Sequence, residues 1–411
     1  MGTDNLLSNL YRYENCDATM RVSSNPLILD SAKGSLVTDT SGNEYIDLCA
    51  GFGALPLGHN HTSLQRVFKK RTYDLPPINH GLGDLYPSKQ KIDLLEALHS
   101  VLPEKLSKST LALSGSQAIE IAIKSAVMKT KKTGFVALKN SYHGLDLGAL
   151  PLTFRKDFRS PFRQLLKENI EFIEPDKDLQ NLDLAIKTLK HRGYEFAACI
   201  IEPIQGRAGV VKLSPEWLIQ LKDRVHSHNG LFILDEIFTG FGRIGSLTSS
   251  YQLNPDITVF GKALGGGMPI SICTGTDDVM SSWPCEEEAI HTGTFFGHPL
   301  SCEVALNTIK EIKISALDKR SAQLGDQAKS YLKEHLNPKK YRQLRGTGLF
   351  IGIQFHEHLA GAKYMHDLRG RGVIALASGN DGDVISITPA LNIPEPKLYK
   401  ALNLIIDTIN S

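Results

Sequence analysis

The sequence predicts an α/β fold with a mostly parallel central sheet covered by helices, and a smaller α+β domain built from both termini. Three observations predict it. Short apolar runs without strict alternation recur through the middle of the chain, as in strands buried on both faces of a sheet. Amphipathic helical stretches separate these runs. The chain has 411 residues, and one ordinary domain takes ~100–200.

The first part of the chain indicates β structure. Residues 27–48, LILDSAKGSLVTDTSGNEYIDL, alternate apolar and polar side chains, and TSGN supplies a turn between two short strands. We therefore expect residues 1–58 to form the N-terminal segment of the smaller domain.

After Gly58, strands alternate with helices. KQKIDLLEALHSVL, at 89–102, has apolar residues at helical spacing, and PEWLIQLKDRVHSH is a second amphipathic stretch. The predicted buried strands are TLALS, FVALK, IEFIE, FAACIIE, LFILDE and ITVFG. We expect residues 59–310 to form the large domain.

The last hundred residues predict a helix from 301, a second helix over 318–335, a strand at GLFIGIQF and a closing helix at LYKALNLIIDTI. Residues 311–411 are therefore expected to form the C-terminal part of the smaller domain.

Composition excludes several classes of partner. The formal net charge of +2 is too balanced to favour nucleic acid or a membrane surface. The N-terminus lacks a signal-peptide pattern, and no apolar stretch approaches the ~20 residues of a membrane helix. Six scattered cysteines favour a reduced, cytoplasmic compartment. The 14 histidines show no metal-ligand spacing, so no metal site is predicted.

Ligands of open α/β sheets bind at the carboxyl ends of the strands, so the residues after each apolar run are the candidates. Gly115 and Ser116 open a helix after TLALS, and free N–H groups there suit a phosphate. A plain helix cap at Ser114 is the alternative. After FVALK comes Tyr142-His143-Gly144, where an aromatic near a glycine at a strand end suits stacking on a flat ligand, unless Tyr142 is a loop aromatic packed on the core.

Two carboxylates also follow apolar strands. Glu202 ends FAACII and Asp235 ends LFIL, where an unpaired carboxylate is costly. Each alone could be a helix cap, but two at neighbouring strand ends indicate a site. Two motif-like stretches are set aside: GFGRIG at 240–245 lies too far past its strand for a dinucleotide fold, and Gly261-Lys262 lacks the rest of a phosphate loop.

Lys262 follows the apolar run ITVFG and precedes Leu-Gly-Gly-Gly. A snorkelling surface lysine is the plain interpretation. The glycines instead indicate close backbone approach, and a partly desolvated lysine is a nucleophile that forms Schiff bases. Pyridoxal 5′-phosphate (PLP) would use each candidate. Its aldehyde could react with Lys262, and its phosphate could bind at Gly115 and Ser116. Its ring could stack on Tyr142, and its ring nitrogen could pair with the acidic Asp235.

An ordered set of motifs resembles the class III (ω-) aminotransferases, which are PLP-dependent. The motifs are SGSQA, YHG, EPIQG, DEIFTGFGR, PDITVFGKALGGGMP and HTGTFFGHPL, and the similarity runs from 42 to about 393. The resemblance implies a fold type I PLP-dependent transferase that forms a homodimer, with active sites at the subunit interface.

The resemblance also implies residue roles. Lys262 would be the Schiff-base lysine, and Asp235 the partner of the ring nitrogen. His143 matches the YHG motif without an assigned role. The implied cofactor contacts are Gly115 and Ser116 at the phosphate, Tyr142 and Ile237 on the two ring faces, Glu202 near the phenolic side, and Thr294 reaching the phosphate of the partner subunit.

Departures from the family fall around the substrate. Phe238 stands where a Gln is common, and Arg207 stands where many members have Glu. Ser386 and Leu145 occupy positions where some members carry Arg. Because carboxylates favour a bidentate arginine, Arg207 becomes the candidate for the substrate's acid group. Pairing of Arg207 with a local carboxylate is the alternative.

The predicted reaction is PLP-dependent transamination. An amino group moves from an amine or ω-amino compound to a 2-oxo acid, either pyruvate or 2-oxoglutarate, by a ping-pong Schiff-base mechanism on Lys262. An aminomutase, decarboxylase or racemase on the same scaffold is the alternative, and a non-catalytic PLP-binding protein is a further one.

Overall fold

The computed structural model describes residues 3–19, 26–74, 85–286 and 288–411. Its strands are β1 (Leu29–Lys33), β2 (Leu36–Asp39), β3 (Glu44–Asp47), β4 (Lys108–Ala112), β5 (Gly134–Leu138), β6 (Ile170–Ile173), β7 (Phe196–Ile201), β8 (Ile204–Gln205), β9 (Val211–Lys212), β10 (Leu231–Asp235), β11 (Ile257–Phe260), β12 (Ser271–Gly275), β13 (Gln343–Thr347), β14 (Phe350–Gln354), β15 (Val373–Ile374), β16 (Leu376–Ser378) and β17 (Val384–Ile387).

Its α-helices are α1 (Thr3–Tyr13), α2 (Ala50–Gly53), α3 (Thr62–Asp74), α4 (Lys89–His99), α5 (Gly115–Thr130), α6 (Lys156–Arg159), α7 (Gln180–His191), α8 (Pro215–Ser227), α9 (Ser250–Leu253), α10 (Asp277–Met280), α11 (Pro299–Ile314), α12 (Leu317–His335), α13 (Ala360–Gly370) and α14 (Glu395–Asn410). Short 3-10 turns span Leu150–Leu152, Ser160–Leu165 and Lys262–Gly265.

A seven-stranded sheet forms the centre, in the order β4-β12-β11-β10-β7-β5-β6. All of its strands except β12 run parallel; β12 is antiparallel to both β11 and β4. The predicted mostly parallel α/β sheet is therefore confirmed. β12 was not among the predicted strands. Its direction could not be predicted either, because a short, fully buried strand has the same pattern whichever way it crosses the sheet.

Successive residues of the central strands point to opposite faces of the sheet, and different helices cover each face. Ile200 and Ile233 pack with residues of α5 on one face. Cys199 and Phe232 pack with residues of α7 and α8 on the other face. Because both faces are covered, these strands are apolar throughout and do not alternate with polar residues.

Segments from both ends of the chain share a second sheet. It has the order β1-β2-β3-β15, and β15 pairs in parallel with β3. A third sheet, β13-β14-β17-β16, belongs wholly to the C-terminal part. The predicted domain boundary at 310 falls inside α11, and the division into domains stays a prediction.

A helix that crosses a bilayer must be both long and apolar. Within the described ranges, no helix meets both requirements.

Candidate active site

The carboxyl ends of the parallel strands bring the candidate residues to one edge of the central sheet. Each candidate group follows its own strand: Gly115 and Ser116 follow β4, Tyr142 and His143 follow β5, Glu202 follows β7, Asp235 ends β10, and Lys262 follows β11. The structure brings these residues together through the contacts described below.

Lys262 begins the 3-10 turn with a left-handed backbone, at φ 42°. A positive φ is costly for a residue other than glycine and is typical of functional sites. Its amine lies 4.4 Å from the centroid of the Phe238 ring. Burial lowers the pKa of Lys262, although the charges of Asp235 and Glu202 oppose the shift. The partial burial of Lys262 and the contact of its amine with Phe238 do not support the plain interpretation, a snorkelling surface lysine.

Asp235 is held on two sides. Its Oδ1 accepts the Ile237 N–H at 3.0 Å, and its Oδ2 lies 2.7 Å from His143 Nδ1. The main chain of His143 is fixed in turn, because its N–H donates to Thr153 Oγ1 at 3.0 Å. His143 Nε2 is buried with no hydrogen-bond partner among the described residues. The structure thus gives His143 a contact that the sequence did not indicate: it orients Asp235.

Glu202 finds its polar partners in the main chain. Its Oε1 accepts the Tyr142 N–H at 2.9 Å, and its Oε2 accepts the Gly206 N–H at 3.1 Å. Burial nevertheless raises the pKa of Glu202 to about 7, and nearby Asp235 adds to the shift. Glu202 therefore ties the segment after β5 to the turn after β8.

The N-terminus of α5 has a side-chain cap, but its first N–H groups have no acceptor within the helix. Ser114 Oγ accepts the Gln117 N–H at 3.2 Å, and Gln117 Oε1 accepts the Ser114 N–H at 3.3 Å, which forms a capping box. The plain capping interpretation of Ser114 is correct. The N–H groups of Gly115 and Ser116 have no partner inside the helix, because the first turn offers no acceptor.

Gly115 lies against Ile237. A Cβ at Gly115 would approach Ile237 Cδ1 to 2.8 Å, so only a bare backbone fits there. Ser116 is fixed through its side chain, because its Oγ accepts the Asp146 N–H at 3.0 Å. The first helical turn and the residue after Asp235 are therefore parts of one tight contact.

Tyr142 and Arg207 form an aromatic and cationic pair. The Arg207 Cζ lies 5.6 Å from the centroid of the Tyr142 ring, and the Phe158 ring contacts Tyr142 edge-on at 6.1 Å. Burial raises the pKa of Tyr142 and lowers that of Arg207. No carboxylate of the described residues forms an ion pair with Arg207, so the alternative of local pairing is not supported.

The remaining predicted residues lie in different surroundings. Phe238 is in the site, between the Lys262 amine and the Phe350 ring, whose centroid is 4.5 Å from its own. Ser386 is buried on β17, and its hydroxyl pairs with that of Ser378 at 2.5 Å. Thr294 is exposed in a turn, and no hydrogen bond joins it to the other candidates within the described part of the chain.

Two acidic neighbours separate at the end of β10. Whereas Asp235 faces His143, Glu236 turns into the loop after the GFGRIG stretch. There it accepts hydrogen bonds from the Thr248 hydroxyl and from the Ser249 N–H at 2.9 Å. Glu236 is therefore a structural carboxylate that organises a loop.

Sequence reasoning missed two arginines. Arg243 is buried, and its Nη1 donates to the carbonyls of Leu349 and Pro389 at 3.0 and 2.6 Å, which fixes C-terminal segments against the site. Arg155 lies close to Arg207 and lines the same cavity. The basic run FRKDFR could have drawn attention to Arg155, whereas nothing local distinguishes Arg243.

The chain is similar to known aminotransferases. A family model described as aminotransferase class-III matches residues 19–409. An acetylornithine aminotransferase from Methanothermobacter thermautotrophicus is 32% identical over 92% of this chain and 93% of its own. A LysW-aminoadipate semialdehyde/glutamate semialdehyde transaminase from Sulfolobus acidocaldarius is 30% identical over 92% of this chain and 94% of its own.

A solved structure is similar throughout its length. The ornithine aminotransferase from Toxoplasma gondii matches with a TM-score of 0.86 and 25% identity, over 99% of this chain and 94% of that one. That structure is described with partial occupancy of PLP at its active site.

Proposed function

The chain belongs to the class III aminotransferase family and is a PLP-dependent aminotransferase, and we propose that Lys262 and Asp235 carry its reaction. One observation carries the proposal. The Lys262 amine is half-buried at a strand end, beside a carboxylate that His143 and the Ile237 N–H hold in place. Burial favours the neutral amine, which is the form that attacks a carbonyl.

The surrounding residues fit PLP. The N–H groups of Gly115 and Ser116 lie in the first turn of α5, where the helix offers them no acceptor, and they suit a phosphate. Each Asp235 oxygen accepts one hydrogen bond and has a lone pair left for a ring N–H. We propose that Tyr142 and Ile237 contact the two ring faces and that Glu202 lies near the phenolic side.

PLP supplies an aldehyde for covalent attachment and a protonated ring that withdraws electrons from the substrate. The chain supplies the proton transfers. With PLP bound, the Lys262 amine would take a proton from the substrate carbon that bears nitrogen and, as a general acid, would deliver it to the former aldehyde carbon of PLP. The Asp235 carboxylate holds the proton on the ring nitrogen, and His143 keeps that carboxylate oriented.

The overall reaction needs no external oxidant. An amine becomes a carbonyl compound while a 2-oxo acid becomes an amino acid, so the electron pair moves with the exchanged amino group. We propose that the donor is an amine or ω-amino compound and that the acceptor is pyruvate or 2-oxoglutarate. The named activities of the two curated relatives, on acetylornithine and on aminoadipate or glutamate semialdehyde, support substrates that also carry a carboxylate.

We also propose that the protein is a cytoplasmic homodimer, in which Thr294 of each subunit contacts the PLP phosphate bound in the other subunit. Thr294 is exposed, and 47% of its neighbour Phe295 is accessible, which supports coverage of this segment by a second chain. The six cysteines are all unpaired in the structure, which supports a reducing compartment.

The function is tested by screening amines against both acceptors with the PLP-loaded protein. An active amine should convert the cofactor to its pyridoxamine form in the absence of acceptor, and a 2-oxo acid should reverse the spectral change. Turnover that continues without any 2-oxo acid would instead identify a mutase, racemase or decarboxylase and overturn the proposal.

A further inference from the structure

The turn that carries Arg207 is held by the C-terminal part of the chain. The Arg207 carbonyl accepts the Gly379 N–H at 3.0 Å, and the Gly209 carbonyl accepts the Arg345 Nε–H at 2.7 Å. Gly209 itself has φ 96° and lies so close to Val384 that a Cβ would approach its Cγ2 to 2.6 Å. This anchoring fixes the backbone from which the Arg207 side chain projects.

The Arg207 guanidinium forms no ion pair among the described residues, although the charge of Asp157, which is paired with Arg155, acts on it from nearby. Its Nε is buried and has no hydrogen-bond partner among the described residues. Burial lowers the pKa of Arg207, and the neighbouring charge of Arg155 contributes to the shift. A guanidinium still stays charged in a protein, and a buried charge is costly unless it is paired.

Arg207 lies one layer of side chains away from Lys262. A Cβ on the adjacent Gly206 would approach Phe238 Cδ1 to 2.7 Å, and the Phe238 ring is the surface on which the Lys262 amine rests. The charge of Arg207 also lowers the pKa of Lys262, as expected of two cations near each other.

A cavity of about 240 Å³ opens beside Arg207. Its lining residues are Arg155, Arg207, His358, Leu359, Ala377, Ser378, Gly379, Asn380, Asp381 and Gly382. Arg155 is already engaged, because its Nε donates to Asp157 Oδ1 at 3.1 Å and its guanidinium stacks on Phe158. The acidic Asp381 is exposed. Arg207 is therefore a cation in this wall whose buried Nε has unused hydrogen-bonding capacity.

We propose that this cavity is the anion subsite of the active site, in which Arg207 binds the carboxylate of both the amino donor and the 2-oxo acid. The inference rests on the proposed function. In a ping-pong reaction both substrates use one site in turn, and the acceptor always carries a carboxylate. The favoured donors are ω-amino acids, whose carboxylate lies several bonds from the amine. Arg155 contributes a second positive charge and no direct contact.

The test compares two amines that differ only in a carboxylate. The PLP-loaded protein is mixed with 4-aminobutanoate or with n-butylamine, and conversion to the pyridoxamine form is followed without acceptor. Arg207→Gln should raise the half-saturating concentration of 4-aminobutanoate roughly tenfold to hundredfold and leave that of butylamine within about twofold. Arg207→Lys should give a smaller loss, because it keeps the charge without the bidentate geometry.

Arg159→Gln provides the matched control. Arg159 is also a partly buried arginine whose Nε lacks a hydrogen-bond partner, but it stacks on Phe172 outside this cavity. It should change neither amine's half-saturation. Equal losses for both amines in Arg207→Gln, or an unchanged response to 4-aminobutanoate, would overturn the subsite.

A binding measurement separates the subsite from the reaction. Glutarate, which has no amine to react, should bind the wild-type protein in calorimetric titrations and bind Arg207→Gln at least tenfold more weakly. If wild-type protein converts no amine of the wider screen, the proposed function fails. Equal glutarate binding by the two proteins would still contradict the subsite in that case.

Discussion

The amine of Lys262 lies 4.4 Å from the centroid of the Phe238 ring, in contact with an aromatic face. The family commonly places Gln where Phe238 stands. A phenyl ring offers no hydrogen bond to a cofactor oxygen, but it attracts a cation. Burial therefore favours the neutral form of this amine, whereas the ring, like the charges of Asp235 and Glu202, favours its charged form.

Replacement of Phe238 by Leu should shift this balance. Loss of the ring face removes roughly 0.5–2 kcal/mol of cation–π attraction, so the apparent pKa of Lys262 should fall by about half a pH unit or more. This pKa is measured in the cofactor-free protein from the pH dependence of Lys262 labelling by an amine reagent, with the labelled peptide quantified by mass spectrometry. Phe350→Leu is the control, since that ring contacts Phe238 and should leave the profile unchanged. An identical profile for Phe238→Leu would refute the assignment.

Glu202 should make the stability of the cofactor-free protein depend on pH. Burial raises its pKa from the ordinary 4.5 to about 7, so the folded state holds the proton more tightly than the unfolded state does. The resulting stabilisation is complete below pH 4.5 and is lost as the pH rises through 7. Relative to Glu202→Gln, the wild-type free energy of unfolding should fall by about 3 kcal/mol between pH 4.5 and 8.

Urea unfolding at several pH values measures this difference. Glu334→Gln is the control, because Glu334 is exposed and forms no ion pair among the described residues. Parallel pH curves for wild type and Glu202→Gln would mean that Glu202 titrates as an ordinary carboxyl.

Much of the site could be predicted from the sequence. Gly115, Glu202, Asp235 and Lys262 each follow an apolar run, and a parallel sheet brings the ends of such runs together. The contact between His143 and Asp235 could not be predicted, since it joins residues 92 positions apart through side-chain geometry.

Other features depend on the same kind of long-range packing. The residues of β12 give no indication that this strand runs antiparallel to its neighbours β11 and β4. Glu236 resembles Asp235 in sequence, yet it turns to the Ser249 N–H because the loop after the strand folds back beneath it. Whether Arg207 would find a local carboxylate was likewise open until the folded neighbours of its turn were known.

Gly115→Ala should weaken PLP binding roughly tenfold or more, because the added Cβ would clash with Ile237 at 2.8 Å and displace the first turn of α5. Absorbance titration of the cofactor-free protein with PLP measures the affinity. Gly370→Ala is the matched control, since nothing lies within 4 Å of the position its Cβ would take. Wild-type affinity in Gly115→Ala would show that the phosphate binds elsewhere.

Asp235→Asn should lower kcat by roughly a hundredfold or more while PLP remains bound, because the neutral amide no longer holds a proton on the ring nitrogen. Steady-state rates at saturating amine and 2-oxo acid measure the effect, and bound PLP is quantified after denaturation. A kcat within a few-fold of wild type would remove Asp235 from the proposed mechanism.

The attachment point of PLP tests the central claim most directly. The PLP-loaded protein is reduced with borohydride, digested, and mapped by mass spectrometry, with Lys262→Ala treated in parallel. We expect the pyridoxyl group on Lys262 and no labelled peptide in the variant, which should also lose amino transfer. A pyridoxyl group on another lysine, or amino transfer that persists in Lys262→Ala, would contradict the account.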